Sequence, residues 1–238
     1  MSKWKARYPC LNACLDAITE IVAQLRDAPD AELEARFGVV GENRRFVSGV
    51  SRAEIDRIID MMQASSHVSG DQEWTEEQDF FFTLNGTQYR ARVTYDSDAM
   101  KVGARTIEKK NVASRDVQIF RSDASRHHLD MRVSLKLETP VLRLQPCVNT
   151  DMVRIKQHRR FVTSCGRWAF DFSIIWSGTN KTAAETAQAT CDPTFEIECE
   201  LIDAAQMLAT QDDARIASSL LLKMQDLLSQ DECTFRPL

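Results

Sequence analysis

The 238-residue chain is poor in the residues that break or staple structure: it has 8 glycines, 6 prolines and no C-x-x-C pair. That scarcity excludes collagen-like, low-complexity and disordered chains, whose compositions are dominated by Gly, Pro and polar residues. The seven cysteines (Cys10, Cys14, Cys147, Cys165, Cys191, Cys199, Cys233) are odd in number and scattered, which excludes a disulfide framework and a zinc ribbon and leaves reduced thiols as the expectation. Cys10 and Cys14 share a helical face at i, i+4, which reads as packing, because two thiols without further ligands make a poor metal site. No run of about 18 apolar residues occurs, and the opening MSKWKARYPC lacks the apolar stretch of a signal peptide, so the chain is expected to stay inside the cell and off the membrane. A formal net charge of -5 argues against nonspecific coating of nucleic acid, yet a focused positive site would still take a polyanion. What is present is an ordinary globular composition, 43% hydrophobic and 27% charged, long enough for one domain with a full core.

Leu11, Leu15, Ile18, Ile21, Val22 and Leu25 recur at helical spacing before Asp27-Ala28-Pro29, which predicts an N-terminal helix over 10–27 lying on the outside of a sheet. Glu32 to Phe37 reads as the first strand, turned by Phe37-Gly38. Ser51-Arg52-Ala53-Glu54 is a capping box ahead of the stripe Ile55, Ile58, Ile59 and Met62, a second helix to about Ala64. Residues 65–78 read as a polar loop. Strands are predicted at 79–84, 88–95, 103–112, 116–121, 129–137, 152–163 and 167–177, with turn signals such as Asn85-Gly86 between them. The small polar stretch 178–193 reads as a mobile loop. Beyond Ile202, Leu208 and then Ile216, Leu220, Leu221, Met224, Leu227 and Leu228 predict C-terminal helices over 203–230. Trp168, Trp176 and Phe161 read as packing groups, and His127 and His128 as loop residues.

The chemistry lies in what alternates with the apolar residues. In TFEIECELI, Glu196, Glu198 and Glu200 fall on one strand face and Phe195, Ile197, Cys199 and Leu201 on the other. Carboxylates two residues apart on a strand lie about 6.6 Å apart. At an effective dielectric of about 20, each such pair repels by roughly 2–3 kcal/mol, so a cation or water must offset the face. Glu32 and Glu34 in ELEARF repeat the pattern far away in sequence. Basic strands show the same period: Arg90, Arg92 and Thr94; Arg132, Ser134, Lys136 and Glu138; Arg154, Lys156, His158 and Arg160. Any one of these faces alone would ordinarily meet water. Seven predicted strands plus the two acidic ones in one chain favour a closed barrel, and charged faces turned inward would make a tunnel with helices covering its apolar outside. Glutamate oxygens suit Mg²⁺ or Mn²⁺, and Arg and Lys suit phosphates, so the combination describes a site for phosphoryl transfer.

In that order the motifs resemble the metal-dependent RNA 5′-triphosphatases of fungi, protozoa and large DNA viruses, members of the triphosphate tunnel metalloenzymes. The likeness runs over about residues 30–202. ELEARFG and FEIECEL are similar to the family's first and last glutamate motifs, and RARVTYD, IEKKNV, MRVSLKLETPV, VRIKQHRRF and WAFDFS to the tunnel strands between them. The resemblance implies a mainly β (α+β) fold: a closed antiparallel eight-stranded β-barrel tunnel with a charged interior over 30–202, flanked by N-terminal and C-terminal α-helices in a single domain, 1–238. It implies Glu32, Glu34 and Glu200 as ligands of Mg²⁺ or Mn²⁺, with Glu198 and Glu138 holding its waters and Glu138 positioning or activating the nucleophile. Arg92, Arg154 and Lys156 would contact phosphates, as would Lys109, for which Lys110 is an alternative. Glu196 and Arg132 would support the site, and Asp171 and Ser173 match an Asp-x-Thr element with Ser in place of Thr. His158 stands where the family has arginine, so that contact falls to His158, Arg159 or Arg160. Arg36 reads as the partner of a tunnel carboxylate.

The implied activity is release of the γ-phosphate from the 5′-triphosphate end of nascent mRNA, the first step of capping, with manganese-dependent NTP hydrolysis beside it. A tunnel enzyme for tripolyphosphate, thiamine triphosphate or nucleotides is the alternative, although that branch uses Glu-x-Glu-x-Lys where this chain has Arg36. A noncatalytic barrel is the third reading. No Lys-x-Asp-Gly motif occurs, so guanylyl transfer would fall to a separate guanylyltransferase. A monomer is expected, in the nucleus, or in a cytoplasmic virus factory for a viral source.

Overall fold

The computed structural model describes residues 9–28, 30–69, 73–95, 101–121, 127–141, 149–228 and 233–237. Its elements run α1 (Pro9–Asp27), β1 (Ala31–Val40), β2 (Phe46–Ser48), α2 (Arg52–Ala64), β3 (Val68–Ser69), β4 (Thr75–Leu84), β5 (Thr87–Tyr95), β6 (Lys101–Arg121), β7 (His127–Pro140), β8 (Met152–Thr163), β9 (Trp168–Gly178), α3 (Lys181–Thr190), β10 (Thr194–Leu201), α4 (Ala204–Thr210), α5 (Asp213–Leu228) and β11 (Cys233–Pro237). Eight strands in the order β10-β9-β8-β4-β5-β6-β7-β1 pair antiparallel, and β1 pairs back onto β10 to close the barrel. β2, β3 and β11 add to β1, β8 and β6 at the margins.

Which face turns inward follows from where the helices sit. Leu33, Ala35 and Phe37 of β1, Val133 and Leu135 of β7, and Ile197, Cys199 and Leu201 of β10 are all buried in one core with Ile18, Val22 and Leu25 of α1, Ile55 and Ile58 of α2, and Leu220, Leu221 and Met224 of α5. This apolar core lies outside the barrel. Because side chains alternate across a strand, the intervening Glu, Arg and Lys residues have no choice but the interior. The capping box of α2 forms as expected, Ser51 accepting from the Glu54 amide while the Glu54 carboxylate accepts from the Ser51 amide.

Five local expectations are corrected. The stretch 178–193 holds α3, because the Asn180 side chain caps the Ala183 amide at 2.9 Å and an alanine-rich run needs no wide apolar stripe to bury Ala184 against Val153, Ile155 and Phe80. The strands foreseen at 103–112 and 116–121 are one, β6, since a bulge near Val112 lets the strand continue while its faces exchange. Gly38 does not turn the chain. It lies within β1, where a Cβ would stand 2.2 Å from the Val47 carbonyl oxygen of β2, and the turn comes at Gly41 to Arg45 with Arg44 at φ 57. Residues 65–78 contain β3 and the start of β4, and His127 and His128 open β7. The last two positions of the C-terminal helices expected over 203–230 lie outside the described residues, α5 being described to Leu228, and Cys233–Pro237 adds an unforeseen β11 to β6.

Candidate active site

The barrel encloses a cavity of about 520 Å³ lined by nine carboxylates, nine Lys or Arg side chains and His158. Cross-strand register decides which groups meet. Glu34 lies directly opposite Glu200, and Arg36 opposite Glu198. Glu32 follows on the same face, opposite Lys136. Around the wall, Glu198 faces Asp171, Glu196 faces Ser173, Asp171 faces Arg160, and Ser173 faces His158. On the far side, Lys156 faces Glu77, and a single row crosses four strands: Arg154, Asp79, Arg92, Arg105. Lys109 faces Glu138.

All the sequence-derived site residues line this cavity except Ser173 and Arg132. Ser173 keeps the inward phase and is buried between Asp171 and Ile175. Arg132 keeps the phase as well, but its guanidinium is forked onto Asp116 at 2.6 and 2.7 Å and lies 4.7 Å from the Phe46 ring centre, away from the cavity. Lys109, not Lys110, faces in. Of the three candidates for the variable contact, His158 and Arg160 enter the cavity, while Arg159 lies over the Phe161 and Trp74 rings. Glu77, Asp79 and Arg105 were missed. The alternation of Glu77 and Asp79 in TEEQDFFF is the available signal, broken because the expected strand starts only at Asp79 and leaves Glu77 in the expected loop.

Ion pairs fill the interior. Arg36 bridges Glu34 at 3.0 Å and Glu198 at 2.7 Å, and Lys136 also holds Glu34. Arg90 and Lys109 grip Glu138 at 3.0 and 2.7 Å. Arg92 forks onto Asp79 at 2.7 and 2.8 Å and reaches Glu77 at 3.0 Å, with Lys156 3.5 Å from Glu77. His158 meets Asp171 at 2.7 Å, and Arg160 ties Asp171 to Glu200. These partners divide the carboxyls into two groups. Burial works against Glu198, yet Arg36 and then Lys156 hold it well below the usual carboxylate range. Glu138 is likewise opposed by burial but kept low by Arg90 and Lys109, and Asp79 is kept low by its bonds to Arg92. Glu32 and Glu200 go the other way. Burial pushes Glu200 up to about 7, with Arg160 opposing and Asp171, Glu32 and Glu198 adding to the rise. Burial also raises Glu32, Glu138 adding and Lys109 opposing.

The donor set fits a hard divalent cation. Glu34 and Glu200 are direct cross-strand neighbours, which sets their Cα atoms roughly 4.5–5.5 Å apart, and Glu32 and Glu200 are raised by burial and by neighbouring carboxylates, both of which a bound cation would offset. Among the described residues no three His, Cys, Asp or Glu side chains are gathered as a finished cage, because Arg36, Lys136 and Arg160 draw the carboxylates apart. The wall also fits an anion. Arg90 and Arg154 each bury an Nε that no acceptor in the protein reaches.

Residues 35–229 match the family described as "mRNA capping enzyme, beta chain". A comparison with curated protein sequences finds no match. Among solved structures, the chain resembles the S. pombe Pct1 RNA triphosphatase at 16% identity and a TM-score of 0.61, covering 90% of this chain and 91% of that one. The same triphosphatase in complex with the Spt5 CTD aligns at 17% identity and a TM-score of 0.60, over 91% of each chain. The mimivirus capping enzyme triphosphatase aligns at 11% identity and a TM-score of 0.55, over 90% of this chain and 98% of that one.

Proposed function

Because the chain belongs to the family of the mRNA capping enzyme β chain, and is thus a hydrolase, an RNA 5′-triphosphatase of the tunnel type acting in cap formation, we propose that the cavity releases the γ-phosphate with Mg²⁺ or Mn²⁺ held by Glu32, Glu34 and Glu200. The observation that carries this reading is the juxtaposition of Glu34 and Glu200 across the seam of a barrel whose opposite wall is arginine and lysine. When bound, the cation would neutralise charge on the terminal phosphate and acidify water.

The chain's own residues do the rest. Arg92, fixed by Asp79 and Glu77, presents a rigid fork for phosphate oxygens. Lys156, Lys109 and Arg154 add charge around the same volume, spreading positive potential over the equatorial oxygens of the transferred group. Glu138, kept ionised by Arg90 and Lys109, accepts a hydrogen bond from the attacking water and orients it; its lowered pKa suits positioning better than storage of a proton. Glu198 stays ionised beside Arg36 and accepts from outer waters, while Asp171 orients His158 and Arg160. The same reading assigns manganese-dependent NTP hydrolysis to this cavity, leaves guanylyl transfer to a separate protein, and makes a monomer the working form. Its place is where nascent transcripts are, the nucleus or a viral factory.

The test is phosphate release from γ-labelled triphosphate-ended RNA with and without Mg²⁺ or Mn²⁺. Glu32→Ala and Glu200→Ala are each expected to lower kcat by at least about a hundredfold, since loss of one charged group acting on a transition state costs roughly 2.7–4 kcal/mol. Folded variants with wild-type turnover would sink the assignment.

A further inference from the structure

Seven of the nine Lys and Arg side chains that line the cavity have carboxylate partners, and Arg105 and Arg154 are the exceptions among the described residues. They stand in one cross-strand row, Arg154, Asp79, Arg92, Arg105, spanning β8, β4, β5 and β6. Three arginines share that row with a single aspartate, and Asp79 is already forked onto Arg92. Like charges set directly opposite each other on a sheet repel, and Arg92 lies directly opposite Arg105. Such a row is at ease only with a further anion along it. The two unpaired members differ in depth. Arg154 is half-buried, its Nε is shielded from both solvent and acceptors, and its guanidinium lies 5.4 Å from the Phe81 ring centre. Arg105 is exposed.

We propose that Arg105 is the contact for the RNA side of the substrate, the α-phosphate and first phosphodiester, and so helps the tunnel prefer a triphosphate-ended RNA over a free triphosphate. This rests on the reading of the cavity as the triphosphate site. The phosphate that is hydrolysed belongs between Glu34 and Glu138, whose side chains are nearly covered, and beside the half-buried Glu200. The polynucleotide must therefore leave toward solvent, and the exposed end of the arginine row is where it meets a cation with no protein partner. Arg92 and Arg154 then serve the inner phosphates, and Arg105 serves only a substrate that continues beyond them. Arg105 also contributes to keeping Glu138 ionised, though less than Arg90 and Lys109 do, so removing it should leave the water-orienting carboxylate in place.

The experiment measures KM and kcat for a triphosphate-ended RNA oligonucleotide, and the inhibition constant of inorganic tripolyphosphate as competitor, for wild type, Arg105→Ala and Arg105→Lys. One charge-assisted contact at the rim corresponds to a rise in KM of about five- to twentyfold in the alanine variant. The expected result is that rise with kcat and the tripolyphosphate constant each within twofold of wild type, and with lysine recovering most of the loss. An equal weakening of RNA and tripolyphosphate, a fall in kcat at unchanged KM, or no change would each overturn the proposal. A wild-type protein that neither hydrolyses the RNA nor is inhibited by tripolyphosphate would instead overturn the parent reading of the cavity.

Discussion

Glu200 and Glu198 are two residues apart on one strand face, yet their environments drive them in opposite directions, and the difference is testable by pH. Burial holds the Glu200 carboxyl near 7, above its ordinary value of 4.5. In the metal-free protein the folded state therefore binds this proton more tightly than the unfolded chain does, so its contribution to stability declines as pH rises from about 4.5 to about 7. A bound cation requires the proton gone, so its stabilisation should grow across the same window. The rise in Tm produced by saturating Mn²⁺ should accordingly be larger at pH 8 than at pH 5.5. Calorimetry in buffers of different ionisation heat should show proton release on metal binding below pH 7 that Glu200→Gln removes. Glu198, already ionised, offers no such proton. A metal-induced shift that is flat with pH would count against Glu200 as a ligand. Glu196, opposite Ser173 and farther from Glu34 in the register, should retain most of the metal-induced shift when changed to alanine.

Arg36 carries the complementary argument. Its charge is buried and stabilised above its ordinary value, burial opposing but Glu198 and Glu34 prevailing. Arg36→Ala leaves Glu34 and Glu198, diagonal neighbours across the β1–β10 pair, without their shared cation. Breaking a buried pair from one side costs about 3–5 kcal/mol, since the remaining charge stays buried. Urea unfolding should show a loss of that order with an unchanged m-value, and a loss below about 1 kcal/mol would mean that Lys136 suffices.

At the scale of elements, the seam between β9 and α3 is a close backbone approach that only a glycine permits. A Cβ on Gly178 would lie 2.3 Å from the Ala184 amide nitrogen and 2.6 Å from the Ala183 carbonyl carbon. Gly178→Ala must push α3 away from β8 and β9, an overpacking that typically costs about 1–3 kcal/mol. A lowered Tm with an intact metal-induced shift would place the damage in the seam, whereas wild-type Tm would show that α3 is free to move. The same helix illustrates what the residues conceal. β1, β7, β8 and β10 are legible because each pairs an apolar core face with a charged tunnel face, so the period of two is unmistakable. α3 buries only Ala184, and β4 begins in a run of polar residues whose first inward carboxylate, Glu77, looks like part of a solvated loop until a basic strand stands on each side. The bulge near Val112 exchanges the faces of β6 and so reads as two strands. The site was legible to the degree that its residues sit on regular strands. Arg105, on the same strand as that bulge, carries no motif and becomes visible only when cross-strand neighbours are known.

At the scale of the whole molecule, charge decides how RNA is held. The formal net charge is -5, and the cavity lining has as many carboxylates as Lys and Arg. Such a protein has no long-range field to gather polyanions, and its affinity cannot come from the body of the transcript. A divalent cation held at the Glu34–Glu200 seam, as proposed above, would add two positive charges there and turn a balanced lining into one that favours a triphosphate. Binding should thus depend on the triphosphate end, the metal and at most one or two further phosphates. For single strands, log affinity falls with log salt at about 0.7 per phosphate contacted, so with the three phosphates of the end and at most two beyond it a slope of magnitude no greater than about 3.5 is expected for 1/KM over moderate salt. KM for a triphosphate-ended trinucleotide and for a much longer triphosphate-ended RNA should agree within about threefold, because the Arg105 contact lies within the first nucleotide step and nothing beyond it adds affinity of even about 1 kcal/mol. RNA carrying a 5′-monophosphate should compete poorly at any length. Steady-state kinetics on a length series decides the matter: a KM that falls tenfold or more with length would reveal a groove for RNA outside the tunnel, which neither the net charge nor the tunnel's balanced lining supplies.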